Sequence, residues 1–579
     1  MQFRLSVAAA RCGEADGGHI VHSVLSSPRV KESPPALLKI WLLVVLIALS
    51  IHLGGYPLFD ADEGRNGEVA REMAATNDYV LPRLDTLPYL DKPIVYFAAE
   101  AAAMEVLGPT ETAARLPSLL FTFATAAVLW WFARRLWGEE EAWVTAIVFL
   151  SMPLTLAFAR TVIFDSALTF FVVVAIVAFH LAVEENRRWS IVAWVAIALG
   201  VLTKGPVAII LPLFVAVPHA FRRKRSRVIW PVTGFIAFAI VIAPWVWAVT
   251  RVVPDFLQYV FVTETAARLT TGALRRTGPP WYFLPYVIGG ALPWSIVAFG
   301  ALKDPGDEAE RRKRWFLLLW IVVPFVFFSL SQSKRPQYIL PVMPAIALLA
   351  ARSWTTRRSA AAERVAAVVV GLFGVVFIAA PLFLHRARMK PEVSIAAHDV
   401  AVPLGICCLA GGVIAFALVR DRRIALAALS IPVIVIPALA NPLMRGIGER
   451  RSAKSFVARL EPRLVPHTRI VGVEAFTGSL AFYLRRPIVV ITPDAEELTS
   501  NYLVRHYSRF ANDARSTIRP PAALDAEIRA CCEPRIYIVR NDDTTNRTRL
   551  ESHGLRQIAD SAHLVAYEPS TMPPPTGRP

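Results

Sequence analysis

Acidic and basic side chains alternate at close spacing in one stretch near the start of the chain, FDADEGRNGEVAREM followed by YVLPRLDTLPYLDKPIVYF. Asp60, Asp62 and Glu63 stand together, Arg65 comes two residues later, and LDKP adds Asp91 and Lys92. A carboxylate beside apolar surface can take a proton from an acceptor hydroxyl or amine, because desolvation raises its pKa toward the useful range. A lysine beside it can neutralise a phosphate. Each residue also has a plainer reading. Asp62 can cap a helix over GRNGEVAREMAA with Glu63 favoured by its dipole, and Lys92 can anchor at headgroup level. Asp165, in ARTVIFDSALTFF, is either a helix N-cap or a functional group. Lys204 lies in LTKGP, Lys334, Arg335 and Tyr338 lie in SQSKRPQYILP, and Arg268, Arg275 and Arg276 follow the apolar run that ends near 249.

Hydropathy sets the elements that must position these groups. With 55% hydrophobic and 18% charged residues and a mean hydropathy of +0.46, the 579-residue chain has bilayer rather than water as its main solvent. Apolar segments near the length that crosses ~30 Å of hydrocarbon occur at 36–54, 113–133, 141–158, 166–183, 189–203, 206–220, 229–249, 281–300, 315–331, 338–352, 364–384, 402–419 and 424–440. They predict a polytopic α-helical protein of about thirteen spans. With the N-terminus inside, the inner loops carry Arg134 and Arg135, Arg187 and Arg188, FRRKRSR, ERRKR, Arg357 and Arg358, and RDRR, as the positive-inside rule requires. The formal charge of +17 is thereby an orientation signal. Nucleic-acid binding is set aside, because the basic residues form short clusters between apolar runs and not one stripe. Under this topology every candidate named above falls on the outer side.

Residues 1–35 read as a cytoplasmic tail, 36–440 as the membrane domain, and 441–579 as a small external α/β domain with strands over RIVGVEAF, AFYLRRPIVVIT and PRIYIVR. That external domain is expected to help present the acceptor. The first external loop, 54–112, is the longest connection of the membrane part and too apolar for disorder. Its stretch 94–108 reads as an interfacial helix, because a span there would invert every later loop. The five cysteines, Cys12, Cys407, Cys408, Cys531 and Cys532, form no CxxC motif and no disulfide framework.

Carboxylates and separate cations on one outer surface suit sugar transfer from a lipid phosphate. The anionic leaving group stays in the membrane, so cations must hold it while a carboxylate activates the acceptor. FDADEGRNGEVAREM, YVLPRLDTLPYLDKPIVYF, RLPS at 115–118, ARTVIFD, LTKGP and SKRPQYILP resemble the bacterial lipid A aminoarabinose transferases, within a wider group that includes the protein O-mannosyltransferases and the C-type glycosyltransferase fold. The resemblance covers the membrane part to about residue 350. It implies that Asp62 is the loop carboxylate at the reacting centre, followed by Glu63 and Arg65, and that Asp165 is the second acidic residue. It further implies that Lys92 contacts the lipid phosphate and that Tyr338 lies near that site. Lys204, Arg268, Arg275 and Arg335 are expected to assist in holding the phosphate. Asp91 stands where a glutamate is common in that family, and Ile94 where a second proline is. No metal is carried over, no cofactor is required, and a divalent ion is left open. The expected partners are a polyprenyl-phosphate sugar donor, a lipid A-like or protein acceptor and membrane lipids, at the periplasmic face of a bacterial inner membrane. A transporter or flippase is the rival class, and it should carry its polar residues in mid-membrane helix breaks.

Overall fold

The computed structural model describes residues 36–260, 278–303, 306–356, 360–384, 391–530 and 533–570. The expected cytoplasmic tail 1–35 lies outside them, as do Arg268, Arg275, Arg276, Arg357, Arg358, Cys12, Cys531 and Cys532. The first ten helices are α1 (Ala36–Ser50), α2 (Asp62–Thr76), α3 (Val95–Leu107), α4 (Glu111–Leu136), α5 (Glu139–Leu150), α6 (Pro153–Ala159), α7 (Phe164–Glu184), α8 (Trp189–Lys204), α9 (Val207–Arg222) and α10 (Val232–Val252). Among the described residues, eight helical segments are long and apolar enough to cross a membrane, or nine if α5 and α6, bent by 67°, form one broken span. The other expected spans are helical but shorter. They are α1, α8, α9, and the pair Leu284–Gly290 and Trp294–Gly300.

Similar hydropathy serves opposite surroundings in this bundle. α7 has 89% of its apolar window buried by neighbours, whereas the segment Ser226–Val252 has only 11% buried and turns its apolar side chains outward. A helix that is apolar all round fits either the bundle centre or the lipid, and only tertiary packing chooses. The α5–α6 bend follows from Pro153, which cannot continue a helix, and from Ser151. The Ser151 hydroxyl donates to the Ile147 carbonyl at 2.7 Å and accepts from the Trp294 indole at 3.0 Å.

The loop between α1 and α4 folds into α2, a short hairpin of β1 (Arg83–Leu84) with β2 (Leu87–Pro88), and α3. The expected interfacial helix at 94–108 is α3, which buries Tyr96, Phe97, Glu100, Ala101 and Met104 along one face. The tail carries a six-stranded sheet in the order β5-β4-β3-β6-β8-β7. The strands are β3 (Arg469–Val473), β4 (Ile488–Ile491), β5 (Ile518–Arg519), β6 (Arg535–Arg540), β7 (Leu555–Asp560) and β8 (Leu564–Pro569). Strands β5, β4, β3 and β6 run parallel, and β8 and β7 close the sheet antiparallel. Period-two alternation divides its residues: Ile470, Ile536 and Ile538 join an apolar core shared with the loop, while Val471, Val473, Tyr537 and Val539 build a second core on the other face.

One expected strand is corrected. The first half of AFYLRRPIVVIT is helical, within Gly478–Leu484, because Thr477 caps the Leu480 amide at 3.2 Å and starts a helix. That helix lies against α2. A Cβ on Gly64 would collide with the Ser479 backbone, and one on Gly478 with that of Arg65, so only glycine permits the two backbones to meet.

Candidate active site

Asp62 does not cap α2. It is the first helical residue, Ala61 occupies the cap position, and no side chain bonds the helix amides there. The Asp62 carboxylate instead lies between two guanidinium groups: Arg65 donates to Oδ1 and Arg335 to Oδ2, each at 2.8 Å. Its side chain remains 42% exposed, so the pair leaves it open to a substrate. Burial pushes the Asp62 carboxyl up, but Arg65 and Arg335 outweigh it and hold it below the usual carboxylate range. This corrects the expectation that apolar surroundings raise its pKa. Two residues earlier the balance reverses. Burial pushes the Asp60 carboxyl up against the hydrogen bonds from the Ser479 amide, at 2.9 Å, and the Ser479 hydroxyl.

Arg335 begins a connected set of polar contacts. It precedes the 3-10 helix Pro336–Val342, which carries Tyr338, and the Lys204 ammonium lies 4.7 Å from the Tyr338 ring centroid. Lys204 also donates to Asp165 Oδ1 at 2.5 Å, from the end of α8 to the start of α7. Arg335 and Lys92 both lie close enough to Asp165 to act on its charge. The Lys92 ammonium donates to the Asp91 carbonyl at 2.7 Å. Asp62, Arg65, Lys92, Asp165, Lys204, Arg335 and Tyr338 thus share one neighbourhood although the chain separates them by up to 276 positions. Lys334 instead closes the turn before Arg335, donating to the Ser329 carbonyl at 2.9 Å and the Ser331 carbonyl at 2.5 Å.

Glu63, expected among the catalytic carboxylates, is a structural tie. Arg115 grips it with two bonds of 3.0 and 2.8 Å, and the Val162 and Phe59 amides donate to it at 3.0 and 3.1 Å. Four donors leave this carboxylate no lone pair aimed at a substrate. Arg115, the first residue of RLPS, is fully buried and also donates to the Leu53, Tyr56 and Pro57 carbonyls, so it fixes the path from α1 into the loop.

Asp91 is likewise bonded to protein. Its carboxylate accepts from the Tyr259 hydroxyl at 2.7 Å and from the Asn501 and Tyr502 amides at 2.8 and 3.2 Å. Among the described residues no cluster of three or more His, Cys, Asp or Glu could hold a metal ion. Thr499, Ser479, Tyr259 and Tyr89 carried no chemical signal in the sequence. They reach the site only through tertiary contacts with Arg65, Asp60 and Asp91.

The helical membrane body has the C-type glycosyltransferase fold, and its carboxylate–cation rim is drawn from the first loop, α7, α8 and the segment at Arg335. The chain superposes on ArnT from Cupriavidus metallidurans, in the structure bound to undecaprenyl phosphate, with a TM-score of 0.79 over 92% of this chain and 97% of that one at 24% identity. The apo state of the same protein gives a TM-score of 0.77. In sequence the chain is similar to the undecaprenyl phosphate-alpha-4-amino-4-deoxy-L-arabinose arabinosyl transferase of Yersinia pestis (strain Pestoides F), 28% identical over 490 residues, 81% of this chain and 87% of that protein. The enzyme of that name from Serratia proteamaculans is 27% identical over 480 residues, 80% of this chain and 86% of that one. Residues 91–247 match the family described as dolichyl-phosphate-mannose-protein mannosyltransferase.

Proposed function

We propose that the protein moves a sugar from a polyprenyl-phosphate carrier, undecaprenyl phosphate in the first instance, to an anionic envelope glycolipid such as lipid A, at the periplasmic face of a bacterial inner membrane. The observation that carries this reading is the half-exposed Asp62 carboxylate, held between Arg65 and Arg335 beside the Tyr338–Lys204–Asp165 contacts. The basic loops on the opposite side support the periplasmic placement.

The reaction is a single displacement with inversion. The acceptor oxygen forms a new bond to the anomeric carbon as the bond from that carbon to the carrier phosphate breaks. Lys92, Lys204 and Arg335 stabilise the departing phosphate, and Asp62 with Arg65 orients the acceptor. Because its two arginines make Asp62 a weak base, the site suits an acceptor that arrives ionised, such as a glycolipid phosphate, better than a protein hydroxyl.

The test is reconstitution in liposomes with a radiolabelled undecaprenyl-phosphate sugar. Adding lipid A should release free undecaprenyl phosphate, Asp62→Asn should abolish release, and Lys92→Ala should weaken use of the donor. Normal transfer by a folded Asp62→Asn protein would overturn the assignment.

A further inference from the structure

Two tail segments, at 479 and 499–502, reach the reaction centre. Ser479 holds Asp60, the amides of Asn501 and Tyr502 hold Asp91 beside Lys92, and Thr499 contacts Arg65. The last is the most direct. Arg65 Nη1 donates to both the carbonyl and the hydroxyl of Thr499, at 3.2 and 3.1 Å, while Nη2 of the same guanidinium holds Asp62. The Arg65 Nε is buried without an acceptor, and the Tyr89 ring lies 5.8 Å away, so the Nη contacts fix the plane of the fork.

Thr499 adopts φ 52°, ψ 33°, in the left-handed region. A β-branched residue is strained there, and glycine or asparagine would sit more easily. Thr86 shares this region, but it is Thr499 that bonds Arg65, and strain at a side chain that addresses the site is a reason to assign it a role.

We propose, resting on the transfer reading above, that Thr499 is a positioning residue for sugar transfer, setting the plane of the Arg65 guanidinium and so the orientation of Asp62 toward the reacting groups. The tail then does more than present the acceptor, since it completes the centre.

Full-length protein in nanodiscs is compared as wild type, Thr499→Gly, Thr499→Ser and each with Arg65→Ala. Glycine accepts this φ freely, so Thr499→Gly should keep or raise the melting temperature. Its kcat/KM for the undecaprenyl-phosphate sugar should nevertheless fall about five- to tenfold. Thr499→Ser, which restores the hydroxyl, should recover most of the rate. On the Arg65→Ala background, Thr499→Gly should change the rate by less than about twofold, because the partner is already gone. A wild-type rate in Thr499→Gly, an equal loss on both backgrounds, or a loss that tracks a lowered melting temperature would each overturn the inference. If wild type releases no undecaprenyl phosphate, the transfer reading falls and this inference with it. Wild-type release with an unimpaired Thr499→Gly overturns this inference alone.

Discussion

Replacing Glu63 with glutamine removes one charge and almost no volume from the tightest polar knot beside the site. The Glu63 side chain is 6% exposed and that of Arg115 is 0% exposed, so neither can turn to solvent when its partner changes. All four donors to Glu63 point at carboxylate oxygens. Glutamine would turn an NH2 group toward two of those donors and leave Arg115 a buried cation without a counter-charge. Removing one partner of a buried ion pair costs about 3–5 kcal/mol, mostly through the charge left behind. Glu63→Gln should lose that much stability on chemical denaturation in detergent, and adding Arg115→Met should recover part of it. Below its melting range, Glu63→Gln should retain transfer within about tenfold of wild type, whereas loss of a group acting on the acceptor costs about a hundredfold or more. Unchanged stability together with a hundredfold loss of transfer would show that Glu63 acts on substrate and that the structural reading is wrong.

Arg335→Ala removes one of the two cations that hold the Asp62 carboxyl down, so its pKa should rise. The acid limb of the kcat/KM profile should then shift to higher pH than in wild type, and an unmoved limb would separate Asp62 from the titration. Burial pushes the Asp85 carboxyl up to about 7, with the Ile488 amide bond opposing it and Glu72 adding to it. A folded pKa above the unfolded one means that stability is fully present below about pH 4 and declines as pH rises through 7. Asp85→Asn should flatten that decline in denaturation measured at pH 5, 6, 7 and 8.

The helical membrane plan was legible because hydrocarbon demands long apolar runs. Each expected span within the described residues proved helical. The site was legible in composition but not in role, and neighbours in sequence show why. Asp62 and Glu63 share one chemistry, yet Arg335 faces the first and Arg115 the second, and both partners come from distant chain. Capping was a sound local reading of Asp62, overridden when Arg65 of the same helix and Arg335 from distant chain took its carboxylate. Residues 481–484 of helix Gly478–Leu484 read as strand because their apolar side chains run together, which leaves no period to separate the two elements. Strands β7 and β8 escaped because the charged and polar residues of LRQIAD and LVAYEP dilute the apolar signal. Thr499 could not be found at all, since neither its type nor its spacing marks a residue forced into a left-handed turn.

Arg65, Lys92, Lys204 and Arg335 gather about Asp62, Asp91 and Asp165, with Asp60 also close to Arg65. A donor phosphodiester carries one negative charge, and the phosphate monoester that leaves carries up to two. Cations placed at the phosphate therefore gain attraction as the bond breaks, which favours the transition state over the bound donor. The same attraction retards release of the product. Each carboxylate trims it, and Asp165 does so directly by pairing with Lys204 at 2.5 Å. Asp165→Asn keeps the shape and frees the lysine charge, so added undecaprenyl phosphate should inhibit that variant at several-fold lower concentration than wild type, with donor KM falling alongside. Inhibition constants from initial rates with product present would measure this. Weaker product inhibition in a folded Asp165→Asn protein would mean that Asp165 supports the phosphate site by holding Lys204 in place, and not by tempering its charge.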